Sequence, residues 1–320
     1  MPPLGRASLL LSLLLSPVGA SAGQPDPDPA PELRPDGKGA VPRGQSHQGQ
    51  VPGPASVSGT SANGIGYHGG PVILGQTNVY YIWYGAWTDT AARTILDAFA
   101  QGIGGSPYFG INGTYYSLDA SGASHPVSNA VALAGESFCT SAASGACWQG
   151  ASNLSDSAIQ AVVAGALASG ALKTPDPNGV YFVLTSPEVT KSGFCTSYCG
   201  WHTHATLQGL DVKYAFVGDA ATQCPSACME QTIGPNGDAG ADGMASVVAH
   251  ELEEAVTDPD LNAWYDRRGR ENADKCAWTF GTTSTAPNGA LYNLTLGGRE
   301  YLIQRNWVNA AGGYCALQYP

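Results

Sequence analysis

Eight cysteines constrain this chain more than any other feature: Cys139, Cys147, Cys195, Cys199, Cys224, Cys228, Cys276 and Cys315. Their number is even, and an apolar leader precedes them. Arg6 is followed by the run Leu9 to Leu15 and then by Ala20-Ser21-Ala22, the small-x-small pattern of a cleaved secretory signal over residues 1–22. The run is far shorter than the ~20 residues that span a bilayer, and Gly23-Gln24-Pro25-Asp26-Pro27 forbids its continuation as a helix. Export carries the cysteines into an oxidising compartment, so they are expected in disulfides. A four-cysteine zinc site built from Cys195-x3-Cys199 and Cys224-x3-Cys228 is the rival arrangement, but exported thiolates rarely stay free. Spacing does not choose among the 105 pairings that eight cysteines allow. Local bridges are expected: Cys139–Cys147, Cys195–Cys199, Cys224–Cys228, and Cys276–Cys315 at the C-terminus.

Residues 23–60 are dominated by Pro, Gly, Ser, Gln and Asp without apolar periodicity. Such a stretch buries too little apolar area to offset the entropy of ordering it, so it reads as a disordered tail or a removable pro-segment. Residues 61–320 have globular composition, about 260 residues, and form one expected domain. The net charge of −11 becomes −12 when Arg6 leaves with the signal, which makes nucleic acid and anionic membrane poor partners. An extracellular peptide, protein or cell-wall polymer fits better, and oligomeric state is not legible. Sequons at Asn112, Asn153 and Asn293 are glycosylation candidates.

Short β-rich runs occur at 72–74 and 79–84, helical periodicity at 88–103 and 155–172, and buried strands at 180–184 and 213–217. Segments 291–296 and 300–304 form an expected hairpin around Gly297-Gly298. The alternation implies an α/β fold: a single layered domain with a mixed β-sheet, flanking helices and a loop-rich, disulfide-bonded periphery.

Chemistry concentrates in the helix expected at 244–258. Val247, Val248, Leu252, Ala255 and Val256 recur at helical spacing, and Pro259 stops the run. His250 and Glu254 lie four apart on one face, the way a helix presents two ligands to one metal ion. Glu251 stands where the H-E-x-x-H zinc peptidases place their general base, with Glu254 replacing the second histidine. The third ligand is sought among downstream acids, with Asp274 or Asp266 favoured; Asp258 is one turn too far. His202 and His204 share one face at strand spacing and are further candidates. The bland alternative is a solvated helix face. Asp258-x-Asp260-x-Asn262 imitates a calcium loop, but Ala263 and Gly269 occupy its glycine and glutamate places, leaving only a looser calcium site.

Tyr67-His68-Gly69-Gly70-Pro71-Val72, residues 79–85, Gly193-Phe194-Cys195 with Cys199-Gly200, Thr222-Gln223-Cys224-Pro225 with Cys228, and Asp242-Gly243-Met244 resemble the exordium or phosphate-induced protein 1 family. The resemblance runs from about 66 to 318 and implies a secreted, wall- or apoplast-associated protein linked to growth responses. Plant members have an apolar helix where this chain has His250-Glu251-Leu252-Glu253-Glu254, whereas microbial relatives resemble it with H-E-x-x-E and Thr257-Asp258-Pro259. Two functions are therefore expected to compete. One is a secreted zinc-dependent, metallopeptidase-like hydrolase, with zinc on His250, Glu254 and Asp274 or Asp266, and Glu251 as base. The other is a non-catalytic extracellular or cell-wall factor holding calcium or no metal.

Overall fold

The computed structural model describes residues 1, 32–47, 49, 51–52, 64–87, 90–141, 147–150, 153–172 and 175–320. The leader at 2–22 lies outside them. The core is one five-stranded sheet, built from β1 (Thr77–Tyr84), β2 (Val131–Cys139), β3 (Gly179–Thr185), β4 (Gly200–Leu207) and β5 (Leu210–Gly218). Its order is β4-β5-β3-β1-β2, with β2, β1, β3 and β5 mutually parallel and β4 antiparallel to β5. The α/β reading with a mixed sheet therefore holds.

Parallel strands covered on both faces need continuous apolar runs, and Val79–Tyr84 and Val180–Leu184 are buried throughout. Helix α1 (Thr90–Ile103) buries Ile95, Leu96, Phe99 and Ile103 and packs against α3 (Ala239–Thr257). Gly200 and His202 of β4 turn toward α3, whereas Trp201 faces the opposite side. There α2 (Asp156–Ala168), capped by Ser155, supplies Asp156 to Lys191 beside the Trp201 ring. Period-two alternation thus assigns the metal-type residues to one face and an aromatic–lysine cluster to the other.

Several expectations are corrected. Residues 72–74 form no strand; Ile73 instead donates its N–H to Val256 O at 3.0 Å, tying a loop to the end of α3. The strand Val131–Cys139 went unread because Val-Ala-Leu-Ala-Gly-Glu is a half-exposed edge with weak alternation. The C-terminal hairpin pairs Leu294–Leu296 with Arg299–Tyr301, and Gly297 and Gly298, both at positive φ, make its two-residue turn.

The disulfides are Cys139–Cys147, Cys195–Cys224, Cys199–Cys228 and Cys276–Cys315. The first and last match expectation, but Cys195–Cys199 and Cys224–Cys228 do not form. The two C-x3-C segments lie against each other, with Cys195 in a turn at positive φ, Cys199 entering β4, and Cys224 and Cys228 flanking the one-turn helix Pro225–Cys228. Two bridges, each closing a separation of 29 residues, staple these segments together.

The described part of the Pro/Gly-rich region packs on the domain. Leu33–Arg34 pairs with Val51–Pro52, Ala40 and Val41 are buried, and Trp278 Nε1 donates to Val41 O at 2.8 Å. Residues 36–41 run along the free edge of β4: His202 N donates to Gly37 O at 2.9 Å, and Cys199 N to Ala40 O at 2.6 Å. Low apolar content is offset by backbone pairing at a sheet edge, a possibility that composition does not reveal.

The sequons separate by burial. Asn112 is fully buried in the 3-10 turn Phe109–Thr114 and cannot carry a glycan in the folded chain. Asn293 is committed through Nδ2 to Phe280 O and Ile303 O, and through Oδ1 to Ile303 N. Asn153 is exposed. Secretion from a glycosylating host should therefore give glycan at Asn153 alone, checked by peptide mass mapping and by a single mass loss in Asn153→Gln.

Asp97 of α1 provides a pH handle. Burial and the neighbouring Glu136 carboxylate push it up to about 7, against the lowering influence of Arg93. The folded state then holds a proton that the unfolded state releases near 4, so this group's penalty grows as pH rises from about 4 to 7. Asp97→Asn should raise stability at pH 8 by on the order of 2 kcal/mol while changing little at pH 4, measured by denaturant melts at both values.

Candidate metal centre

Helix α3 begins at Asp238, whose side chain accepts from Gly240 N and Ala241 N, and residues 240–257 are all buried. The solvated-face alternative is thereby overturned: Glu251, Glu253 and Glu254 are each 0% exposed. Buried ionised carboxylates are costly without a compensating partner. Glu253 is half satisfied: Asn306 Nδ2 donates to its Oε2 at 2.6 Å, while Oε1 has no hydrogen-bond partner. Glu251 and Glu254 point elsewhere, into a cluster with His250, His202, Glu271 and Asp274.

His250 Nε2 stands 2.9 Å from Glu254 Oε1 and 3.5 Å from Asp274 Oδ1. These three side chains offer ligand atoms within 4.8 Å of one another. The 3-10 turn Asp274–Cys276 presents Asp274, whose backbone N–H donates to Glu254 Oε1 at 3.2 Å. Asp274 Oδ2 in turn accepts from Glu271 N at 3.0 Å, which fixes the carboxylate. Yet Asp274 Oδ1, Glu254 Oε2, both oxygens of Glu251 and both ring nitrogens of His250 have no hydrogen-bond partner. Fully buried polar atoms almost always find partners. Unsatisfied buried carboxylate oxygens on Glu251, Glu254 and Asp274, around the His250 ring, are the pattern a cation would resolve.

The electrostatics agree. Burial pushes Glu254 up to about 7, with the Asp274 charge adding to the rise and His250 opposing it. Glu251 and Glu271 are driven well above the carboxylate range, by burial first and by Glu254 next. Burial works to lower His250, but the charges of Glu254, Asp274 and Glu251 outweigh it and hold the imidazole well above its ordinary value. His202, equally buried, is pushed down to about 3 and stays neutral.

Of the two favoured third ligands, the structure brings Asp274 to His250 and leaves Asp266 outside. Asp266 accepts from Arg268 N and Arg270 N and pairs with the Arg270 guanidinium at 2.7 Å and with Lys275 at 3.5 Å. Its charge is already compensated. Asp258 caps its own turn, accepting from Asn262 N at 2.6 Å and Ala263 N at 2.5 Å. His204 lies apart from His202, beside Asp211 and Asp260, and Lys213 Nζ occupies that acidic pair at 2.5 and 3.1 Å. Lys213 thus pairs with Asp260, the middle acid of Asp258-x-Asp260-x-Asn262. Glu271 was among the downstream acids of the sequence, but nothing local singled it out; only folding sets it against His202, at 3.2 Å.

The segment 36–41 forms the roof. Gly39 packs so closely on Asp274 that a Cβ there would fall 2.0 Å from Oδ1, and a Cβ on Gly37 would fall 1.9 Å from His202 O. Glycine is required at both places because the strand-edge backbone lies directly on the cluster. On the Trp201 face of β4 is a hollow of about 260 Å³ lined by Asp36, Lys38, Asp156, Trp201, His202, Thr203 and Tyr214.

Comparison with known proteins bears on the whole domain. The phosphate-induced protein 1 conserved region matches residues 65–316. Protein EXORDIUM-like 5 of Arabidopsis thaliana is 32% identical over 275 residues, covering 75% of this chain and 74% of that protein. Protein EXORDIUM-like 3 of the same plant is 31% identical, covering 78% and 81% respectively. Protein PHOSPHATE-INDUCED 1 of Nicotiana tabacum is 24% identical, covering 74% and 83%. No solved structure matches.

Proposed function

The chain belongs to the phosphate-induced protein 1 family, and from that premise we propose that it is an exported exordium-like protein carrying a zinc-dependent hydrolytic centre. Four disulfides with no free cysteine among the described residues support export. The observation that carries the catalytic half is the set of unpartnered, buried atoms on His250, Glu251, Glu254 and Asp274.

His250, Glu254 and Asp274 would hold the ion, a nitrogen-and-carboxylate donor set suited to zinc. Zinc at such a site lowers the pKa of water to about 7. Glu251, held beside the cluster with both oxygens free, accepts the proton as the water oxygen bonds to a peptide carbonyl carbon. As the C–N bond breaks, Glu251 returns that proton to the departing amine, so no further reactant is needed. The substrate class is extracellular peptide or protein.

Residues 36–41 bar this chemistry while they cover Asp274, which makes the pro-segment reading of residues 23–60 the one that fits the site. The same closure favours the second reading, a non-catalytic extracellular or wall-associated factor whose cluster holds calcium or no metal.

Elemental mass spectrometry of secreted protein never exposed to chelator decides between them. Bound zinc is expected, lowered in Asp274→Asn and unchanged in Asp266→Asn. Glu251→Gln should keep the metal and lose peptide hydrolysis by about 10²–10⁴-fold. Gly39→Val, which drives a side chain into Asp274, should displace the covering segment and raise activity over wild type. Protein free of any transition metal would overturn the hydrolase reading.

A further inference from the structure

We propose that the centre is binuclear: a second divalent cation, of the zinc class, binds between His202 and Glu271, and Glu254 bridges it to the first. This rests on the metal reading of the His250 cluster and extends it to residues that no motif marks.

The geometry of Glu254 is the starting point. Its two carboxylate oxygens face different imidazoles, Oε1 toward His250 Nε2 at 2.9 Å and Oε2 toward His202 Nε2 at 3.8 Å. His202 Nε2 also stands 3.2 and 3.3 Å from the two oxygens of Glu271. Two ligands each ~2.0 Å from a tetrahedral ion lie roughly 3.3 Å apart. The spacings around His202 therefore match the edges of a coordination polyhedron as well as those around His250 do. Both trios, His250–Glu254–Asp274 and His202–Glu254–Glu271, gather their ligand atoms within 4.8 Å, and Glu254 is the member they share. A bridging carboxylate with one oxygen on each ion is the arrangement of two-metal hydrolytic sites, whose ions stand ~3.5–4 Å apart.

A second observation is independent of this spacing. Glu254 Oε2 is fully buried and has no hydrogen-bond partner, although it faces His202. One ion between His250, Asp274 and Oε1 leaves that oxygen unsatisfied; an ion at His202 occupies it.

Charge balance points the same way. Glu251, Glu254 and Glu271 are buried and the Asp274 side chain is nearly so, and among the described residues no Lys or Arg forms an ion pair with any of the four. With both imidazoles neutral, one dication leaves two buried negative charges and two dications leave none. The chemical consequence falls on the substrate: an ion held by His202, Glu254 and Glu271 would offer a second position for the carbonyl oxygen, with Glu251 as the base beside the first.

The full secreted chain, equilibrated with zinc and desalted, is analysed by elemental mass spectrometry, and crystals of it by anomalous scattering at the zinc edge. Two equivalents per chain are expected, with two peaks about 3.5–4 Å apart flanking Glu254. His202→Ala and Glu271→Gln should each lower the count from two to one, leaving the peak at His250. One equivalent in wild type, with a single peak at His250, overturns the binuclear proposal and leaves the mononuclear hydrolase standing; no zinc overturns both. Should either variant fail to fold, wild-type stoichiometry and the wild-type anomalous map decide alone.

Discussion

Four carboxylates and two imidazoles shut between a helix and a sheet edge set the terms for everything around them. Placed without a counter-charge, such a group costs several kcal/mol per ion. The fold spends its most rigid parts on this place. Helix α3 is buried on every side, β4 is held in the sheet by β5, and the Glu271–Asp274 segment is pinned by the Asp274 N–H on Glu254 and the Glu271 N–H on Asp274. Asn272 adds a bond from Nδ2 to Glu253 O at 3.1 Å, anchoring that segment to the back of the same helix. None of these supports relieves the charge. They hold the unsatisfied atoms in position, which is what a preorganised ion site requires.

The sheet supplies the second half of the logic. An antiparallel strand appended to a parallel sheet has one free edge, a row of unpaired N–H and C=O groups. Here the edge of β4 is covered by residues 36–41, and the same backbone closes over Asp274. Edge protection and site closure are one contact. Displacing the segment would uncover Asp274 and unprotect the strand together.

How much of this was legible depended on whether a signal was local. The helix at 244–258, its stop before Pro259, and the pairing of His250 with Glu254 follow from periodicity within one element; the helix is present as Ala239–Thr257, beginning five residues before the expected start. The buried strands followed equally from their apolar runs. What depends on contacts distant in sequence did not show. Asp274 and Asp266 look alike in the chain, and only the Arg270 fork, which takes Asp266, separates them. Glu271 becomes a partner of His202 across 69 residues. The C-x3-C pairs looked like two local bridges because spacing favours short closures, whereas the fold sets the segments side by side. Residues 32–47 carry too little apolar content to announce a packed segment, and two glycines do the fitting that larger side chains would prevent.

The bridge between Cys199 and Cys228 lies three residues from His202, at the point where the chain enters β4. Its position ties the register of β4 to the redox state of the molecule. Without the bridge the start of β4 is held by hydrogen bonds alone, the ladder with β5 on one edge and Gly37 and Ala40 on the other. A slip by one residue would turn Trp201 toward α3 and carry His202 to the opposite face. The covalent tie at Cys199 works against that slip, so a disulfide on the periphery guards the placement of a buried imidazole beside Glu254 and Glu271.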